Sequence, residues 1–445
     1  MAVVAAASVA AVAAAGSGPL PDPLAHSETK PAPIEQTDLP NGLRIVSETM
    51  PEARSVTLGA WVRVGGRDEP DDLSGASHFL EHLLFKGTEE RSAREIAEAV
   101  DAVGGEMNAF TAREHTAYYA RLPYQQLGLG VGLLGEVLTA PALRPSDVDA
   151  ERQVIVEEIL MNLDSPEDRA HTLLARLLFP GHPLGRDVLG EMATVEALGR
   201  DDIDGFFRRW YRPATMVLAA AGRLDHAELV AVASNAFASL EGGALPERHA
   251  PPPAEASVVV EEDDTEQAHL CLGWRGPEVE DADRWAMAVA NQVLGGGMAS
   301  RLFQEVREER GLAYAVYSHP SAYSDSGCLT VYCGTAPKRA PETLRVIDAV
   351  VEDLLADGVT DGELTVASGY LEGSLLLSLE DSGGRMGRLG RDLVQRGRAL
   401  SLEEQLDGIR AVTAADVHRV LRRVFEGPRV LAAVGPFHAD ELDLR

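Results

Sequence analysis

An internal repeat is the feature that most constrains how this sequence can fold. Residues 195–222, VEALGRDDIDGFFRRWYRPATMVLAAAG, match residues 409–435, IRAVTAADVHRVLRRVFEGPRVLAAVG. The numbering offset between the two segments is 214 at the start of the match (409 minus 195) and 213 at its end (435 minus 222), where Gly222 meets Gly435. Such a repeat indicates two copies of one structural unit of roughly 200 residues.

A second match, at an offset of 213 (274 minus 61), pairs Trp61 in LGAWVRV with Trp274 in CLGWRG. Between the copies, residues 241–257 read EGGALPERHAPPPAEAS, and this content of Pro and Gly is typical of a linker. A length of 445 residues also favours two domains, because a single core stops growing at about 250–300 residues. We therefore predict four segments: a disordered leader (1–36), a first domain (37–240), the linker (241–257) and a second domain (258–445).

Each copy mixes two periodicities. SVTLGAWVRV and AYYARLP in the first half, and VVVEE, HLCLGW and CLTVYC in the second, are short runs typical of β-strands. REIAEAVDAVGG, LGLGVGLLGEVL and SDVDAERQVIVEEILMNL have the spacing of helices. Strands interspersed with long helices predict an α+β fold, with a sheet and a helix layer in each half.

The charge and the cysteines of the chain narrow its possible partners and its location. The formal net charge is -30 at pH 7. Nucleic acids and anionic membranes need a basic protein surface, so we expect neither as a partner. Cys271, Cys328 and Cys333 are too few for a disulfide framework, which indicates a reducing compartment, and we expect them in the core. We therefore predict a cytoplasmic protein.

The N-terminal segment MAVVAAASVAAVAAA is the one stretch that resembles a targeting signal. It is apolar and ends in small residues, but no Lys or Arg precedes it and it is too short to span a bilayer. A disordered leader is our prediction, and a cleaved secretion signal is the alternative.

The segment SHFLEHLLFKGT concentrates His78, Glu81 and His82 within five positions. On a helix, positions i, i+3 and i+4 share one face, so both imidazoles can reach a single ion. The alternative is an amphipathic helix with a solvated polar face. The apolar flanks contradict that alternative because they would bury the three polar side chains, and buried imidazoles need partners such as a metal.

Two histidines leave a metal incompletely bound, and the sequence offers a third ligand in ERQVIVEEIL. Glu151 and Glu158 in this segment are seven positions apart and so lie two turns along one helical face. Two His and one Glu are a common ligand set for catalytic zinc, which keeps an open position for water. Glu157 is adjacent, so spacing alone leaves a choice between Glu157 and Glu158.

HFLEHLLFKGT, GGEMNAFTAREHTAYYARL, ERQVIVEEI and GLAY occur in this order. From about residue 37 onward, the chain resembles the pitrilysin and insulinase family of zinc peptidases. The similarity is strongest to its short-chain branch, the mitochondrial processing peptidase β subunit and its bacterial relatives. The resemblance implies one Zn²⁺ per chain, held by His78, His82 and Glu158. It implies that Glu81 is the general base on the zinc-bound water, and that Glu151 is a supporting carboxylate.

The resemblance also implies residues that bind a peptide. Asn108, Ala109 and Phe110 match the family's strand edge, which pairs with an extended substrate. Arg307 and Tyr314 match an Arg and a Tyr that stabilise the tetrahedral oxyanion. The alternative for Asn108 is a turn residue after Gly104 and Gly105. Without the resemblance, Arg307 would be interpreted as a solvated charge.

The second half lacks a metal motif, since the corresponding stretch reads VLGGGMASR, without histidine or a suitable acid. The resemblance therefore implies a first domain that binds zinc and a second, inactive domain that contributes to substrate binding. Larger family members close as a clamshell of four such domains, so this chain would supply one half. We expect a homodimer, with a heterodimer containing an inactive paralogue as the alternative.

The expected activity is hydrolysis of peptide bonds in unfolded peptides or leader segments by a zinc endopeptidase. One rival is a structural subunit of the same fold without activity, which the complete set His78, Glu81, His82 and Glu158 argues against. The other rival is a zinc hydrolase of small amides, which the two-domain repeat argues against.

Overall fold

The computed structural model describes residues 33–438 and 441–442. Most of the predicted leader, residues 1–32, lies outside the described residues. The first strand begins at Ile34, so residues 34–36, which the sequence placed in the leader, belong to a sheet. Residues 241–256 of the predicted linker form neither helix nor strand.

The first half of the chain contains a mixed sheet and a set of helices. Its strands are β1 (Ile34–Asp38), β2 (Arg44–Thr49), β3 (Ser55–Val62), β4 (Glu106–Thr111), β5 (Thr116–Pro123) and β6 (Met216–Gly222). Its helices are α1 (Ala76–Leu84), α2 (Ala93–Asp101), α3 (Leu127–Thr139), α4 (Pro145–Asp164), α5 (Pro166–Leu178), α6 (Met192–Ala197), α7 (Arg200–Trp210) and α8 (His226–Ala236).

The second half repeats this plan with fewer elements. Its strands are β7 (Ser257–Glu262), β8 (Ala268–Gly276), β9 (Ala313–Ala322), β10 (Gly327–Thr335) and β11 (Val430–Gly435). Its helices are α9 (Arg284–Leu294), α10 (Ala340–Asp357), α11 (Asp361–Ser378), α12 (Ser382–Arg396), α13 (Leu402–Arg410) and α14 (Ala414–Phe425). A short π-helix, Phe303–Glu309, precedes β9.

The two sheets have the same topology. Over the described residues, the first sheet has the strand order β1-β2-β6-β3-β5-β4 and the second has the order β7-β11-β8-β10-β9. In each, one parallel pair, β2 with β6 or β7 with β11, stands beside antiparallel pairs. Strand β1, which pairs with β2, is an addition to the first sheet. The structure thus confirms the α+β class and the internal repeat.

The register of the two sheets fixes which residues correspond. Ala221 in β6 and Val434 in β11 are related by an offset of 213 (434 minus 221), in agreement with the C-terminal match. Their partners in the neighbouring strands are Thr57 and His269, which are related by an offset of 212 (269 minus 57). Strand β3 therefore corresponds to β8 at an offset of 212, and the second copy has one additional residue between β8 and β11.

The predicted match of Trp61 with Trp274 is consequently wrong by one residue, and Gly273 is the true counterpart of Trp61. A shift of one residue moves a strand side chain to the opposite face of the sheet. Trp61 accordingly donates its indole N–H to the sulfur of Met386 in α12, at 3.3 Å. Trp274 instead packs edge-to-face on Phe425 of α14, with ring centroids 4.9 Å apart.

Helices α5 and α12 are exchanged between the two halves. Helix α5 precedes the linker in sequence, yet it covers one face of the second sheet. Helix α12 lies in the second half of the sequence and covers the equivalent face of the first sheet. The apolar residues of the α5 contact include Leu174, Leu178, Cys271, Tyr332, Val430 and Ala432. Those of the α12 contact include Val46, Trp61, Ala219, Met386, Leu389 and Leu393. Each sheet therefore needs a helix from the other half to bury its apolar face.

The three cysteines are free and buried, as the sequence predicts. Among the described helices, none is both long enough and apolar enough to cross a membrane.

Candidate active site

Helix α1 is anchored at its N-terminus by a glycine and a buried carboxylate. Gly75 precedes the helix with a φ of 96°, a conformation that favours glycine, and a Cβ there would lie 2.8 Å from the Leu189 carbonyl oxygen. Glu69 accepts hydrogen bonds from the backbone N–H groups of Gly75 and Ser77, each at 2.7 Å. These bonds satisfy donors that the first helical turn leaves open. The apolar side of α1 is buried through Phe79, Leu80, Leu83 and Leu84.

Helix α4 brings Glu158 to the two histidines of α1. Oε2 of Glu158 lies 3.6 Å from Nε2 of His78 and 3.7 Å from Nε2 of His82. The ligand atoms of the three residues all lie within 4.8 Å of one another. Tetrahedral zinc ligands about 2.0–2.1 Å from the ion are about 3.4 Å apart, and the 3.6 Å and 3.7 Å separations from Glu158 are close to that value. The neighbouring Glu157 is exposed.

The protonation of His78 suits a metal ligand. Burial, together with the nearby His82 ring, lowers the pKa of His78 to about 4. The imidazole is therefore neutral at neutral pH, which is the form that binds metals. Nε2 of His78 is the nitrogen directed at Glu158. Nδ1 of His78 is buried and has no hydrogen-bond partner in the described part of the chain.

Glu151 on α4 contacts the His82 ring on the side opposite Glu158. Its Oε2 lies 3.1 Å from Nδ1 of His82, the nitrogen that faces away from Glu158. Its Oε1 lies 2.6 Å from Nζ of Lys86. A carboxylate at the second nitrogen of a ligating imidazole fixes the tautomer and the ring orientation. Nε2 of His82 is therefore the ring nitrogen directed at the ion position.

Glu81 lies beside the three candidate zinc ligands and is not one of them. Its Oε2 accepts a hydrogen bond of 2.5 Å from the hydroxyl of Thr111. Burial raises the pKa of Glu81 above its ordinary value, and the hydrogen bond from Thr111 opposes that rise. A carboxylate with a raised pKa accepts and returns a proton more readily near neutral pH.

Strand β4, which contains the predicted peptide-binding residues, is an edge strand of the first sheet. Asn108 is exposed, and its Oδ1 accepts a hydrogen bond of 2.8 Å from the N–H of Ala109. Phe110 packs edge-to-face on Trp61, with ring centroids 5.5 Å apart. The strand ends at Thr111, the residue that contacts Glu81. An exposed strand edge therefore leads directly to the candidate base.

Arg307 and Tyr314 lie together in the second half. The Arg307 guanidinium is 4.4 Å from the centroid of the Tyr314 ring and 4.7 Å from that of Phe303. Tyr314 is 79% exposed. Among the contacts of the described residues, none joins this pair to the histidines of α1, so within one chain the structure does not unite the two groups.

Two residues of the site were not singled out from the sequence. Lys86 follows His82 at helical spacing, four positions later, and this was a usable signal. Thr111 alternates with Met107 and Ala109 along β4, so these three share the strand face that packs toward the helices. That alternation could have predicted that Thr111 points at α1.

Two family models match this chain. Residues 44–192 match the family model for "Insulinase (Peptidase family M16)", and residues 197–368 match that for "Peptidase M16 inactive domain". The chain belongs to this family, the pitrilysin and insulinase family, as its motifs predict.

Several bacterial relatives are similar over nearly the whole chain. An uncharacterized zinc protease of Streptomyces coelicolor is 45% identical over 413 residues, which are 91% of this chain and 90% of the relative. One from Mycobacterium tuberculosis is 45% identical over 408 residues, covering 90% of this chain and 93% of the relative. One from Bacillus subtilis is 37% identical over 403 residues, covering 91% and 98%.

Solved structures share the fold. A protease from Helicobacter pylori superimposes with a TM-score of 0.88 at 24% identity, covering 92% of this chain and 100% of that one. A peptidase M16 inactive domain from Pseudomonas fluorescens gives a TM-score of 0.86 at 22% identity, covering 92% and 98%.

Proposed function

We propose that this chain is a zinc-dependent endopeptidase in which His78, His82 and Glu158 hold the ion and Glu81 is the general base. The observation that carries the proposal is the convergence of three ligand atoms within 4.8 Å, with the Glu81 carboxylate next to them and outside the set. The zinc protease relatives support the same activity.

The chemistry divides between the ion and the chain. When bound, zinc acts as a Lewis acid that lowers the pKa of its water ligand to about 7 and polarises the scissile carbonyl. Glu81 takes the proton from the attacking water and delivers it to the leaving amine. Thr111 donates to Oε2 of Glu81, so Oε1 is the oxygen left to carry the proton.

An extended peptide would add to the sheet along β4, where Asn108, Ala109 and Phe110 expose the edge. A backbone must be extended to pair in this way, so we propose unfolded peptides or leader segments as substrates. Arg307 and Tyr314 would donate to the developing oxyanion, since guanidinium and phenol groups both donate hydrogen bonds.

A second chain would bring that pair to the zinc. Each chain carries both the zinc group and the Arg307–Tyr314 pair, so a homodimer can supply two complete sites, and we propose it over a heterodimer with an inactive paralogue. Light scattering of the purified protein measures the mass: twice 47.5 kDa supports the homodimer, and monomer mass at working concentration contradicts it.

Substitution of the base tests the assigned activity. Glu81→Gln keeps the size of the side chain and removes its basicity, so it should retain one zinc per chain and lose at least about 100-fold in kcat on a quenched unfolded peptide. The matched control is Glu157→Gln, because Glu157 is exposed on α4 next to the ligand Glu158. The control should keep both the zinc and the turnover.

The outcomes separate the alternatives. Equal turnover by Glu81→Gln and wild type would show that the base is wrongly assigned. One zinc per chain without cleavage of any peptide would favour a structural subunit of the same fold. Cleavage of small amides but not of unfolded peptides would favour a different zinc hydrolase.

A further inference from the structure

Thr111 is placed to control the geometry of the candidate base. Its hydroxyl lies 2.5 Å from Oε2 of Glu81. In the described part of the chain, Thr111 is the only hydrogen-bond partner of the Glu81 carboxylate. The Glu81 side chain has three rotatable bonds, so without this contact no hydrogen bond within the described part of the chain selects one orientation of its carboxylate.

The hydroxyl of Thr111 is itself held in place. Thr is branched at Cβ and has few χ1 conformations in a strand. Thr111 pairs with Thr116 across the β4–β5 hairpin, and the next residue, Ala112, donates to the His115 carbonyl at 2.8 Å. The Ala112 carbonyl oxygen accepts from Gly66 at 3.2 Å. The donor therefore belongs to a rigid part of the backbone.

The tip of this hairpin is also tied to the second half of the chain. Oε1 of Glu114 accepts from Arg67 at 2.7 Å and from the hydroxyl of Ser324 at 2.7 Å. Its Oε2 accepts from the backbone N–H of Ser324 at 3.0 Å. Glu114 is buried. Contacts from both halves thus fix the strand that presents Thr111.

We propose that Thr111 is a positioning residue that holds Glu81 by Oε2 and keeps Oε1 directed at the reacting water. Thr111 directly follows Asn108–Phe110 on the same edge strand, so a peptide seated on β4 and the base are aligned by one rigid element. This inference rests on the proposed peptidase function and adds a residue to it.

Two substitutions at one position test the inference. Thr111→Val keeps the shape and removes the donor, so kcat should fall by between about 10-fold and about 100-fold. KM and the zinc content should stay near the wild-type values, because Thr111 binds neither zinc nor peptide in this assignment. Thr111→Ser restores the hydroxyl and should recover kcat to within about 3-fold of the wild type.

A double variant shows whether Thr111 acts through Glu81. Thr111→Val added to Glu81→Gln should slow the residual turnover by less than about 2-fold, because the oriented base is already gone. A further loss equal to that of Thr111→Val alone would assign Thr111 some other role. Equal losses of kcat and zinc in both the Val and Ser variants would show a structural role and overturn the inference.

Crystal structures decide the inference independently of activity. In Thr111→Val we expect the Glu81 carboxylate to leave its wild-type position or to occupy several rotamers. An unchanged Glu81 in Thr111→Val would overturn the inference. If wild-type protein with bound zinc cleaves no peptide, the proposed function fails, and these structures still show whether Thr111 positions Glu81.

Discussion

Oε2 of Glu151 on α4 lies 3.1 Å from Nδ1 of His82 on α1. This contact joins the two helices behind the candidate zinc position, and Lys86 extends it through the second oxygen of Glu151 at 2.6 Å. The buried Glu151 carboxylate therefore contacts a positive charge, Lys86, through one oxygen and an imidazole, His82, through the other. It leaves the free nitrogen of His82 aimed at Glu158.

Removal of Glu151 should weaken zinc binding without removing a ligand. Loss of a carboxylate that orients a ligating histidine typically costs about 10-fold to 100-fold in metal affinity, so Glu151→Ala should raise the zinc Kd by about that factor. Competition with a zinc chelator measures the Kd. Glu157→Ala, an exposed position on the same helix, should leave it unchanged. Equal Kd values for Glu151→Ala and the wild type would contradict the supporting role.

The exchange of α12 makes the stability of the first sheet depend on a glycine in the second half. A Cβ on Gly390 would overlap three indole atoms of Trp61. Gly390→Ala should therefore lower the free energy of unfolding by about 1–3 kcal/mol through overpacking. Gly387 on the same helix has no atom within 4 Å of such a Cβ. Urea unfolding measures both variants, and Gly387→Ala should be unchanged or more stable by up to about 1 kcal/mol. Equal losses of unfolding free energy in both variants would contradict the contact between Gly390 and Trp61.

His115 should make the protein sensitive to acid. Its ring packs against both Trp61 and Phe110. Burial, with a contribution from Arg391, lowers the pKa of His115 to about 4. In the unfolded chain His115 binds a proton near pH 6.5, whereas in the folded chain it does so only near pH 4. The contribution of neutral His115 to the free energy of unfolding is therefore present above about pH 6.5 and is lost as the pH falls toward about 4.

The corresponding test compares the wild type with His115→Phe, which keeps an aromatic ring and removes the titration. Between about pH 7 and about pH 4, the unfolding free energy of the wild type should fall by on the order of 3 kcal/mol more than that of the variant. The zinc site titrates in both proteins, so the difference between their urea curves isolates His115. Parallel curves would show that His115 does not drive the acid sensitivity.

The contact between Asp325 of the second half and Arg67 of the first half should stabilise the folded chain. Its two carboxylate oxygens lie 2.8 Å and 2.6 Å from the two terminal nitrogens of Arg67, whose side chain is 2% exposed. Asp325→Ala should cost about 1–3 kcal/mol of unfolding free energy, because a buried guanidinium loses a charged acceptor. Glu98→Ala, which removes an exposed pair with Arg94, should change it by less than about 1 kcal/mol. Similar effects of the two variants would contradict a buried interdomain contact.

The sequence alone determined what depends on local spacing. His78, Glu81 and His82 share a face because of the helical period, and the strand and helix patterns indicated the α+β class of both halves. The repeat predicted two copies of one fold, and the sheets have that shared topology. These features follow from periodicity along the chain, which sequence records directly.

Only the tertiary structure decided which distant groups meet. The family resemblance implied Glu158 over Glu157, and the packing of α4 against α1 is what brings the Glu158 carboxylate to the imidazoles. Trp61 was matched with the wrong residue because similarity in letters does not fix the register of hydrogen-bonded strands. The exchange of α5 and α12 and the contact of Thr111 with Glu81 likewise arise from burial of faces far apart in the chain. A local pattern predicts which face of an element is buried, whereas the packing between elements decides which distant group that face meets.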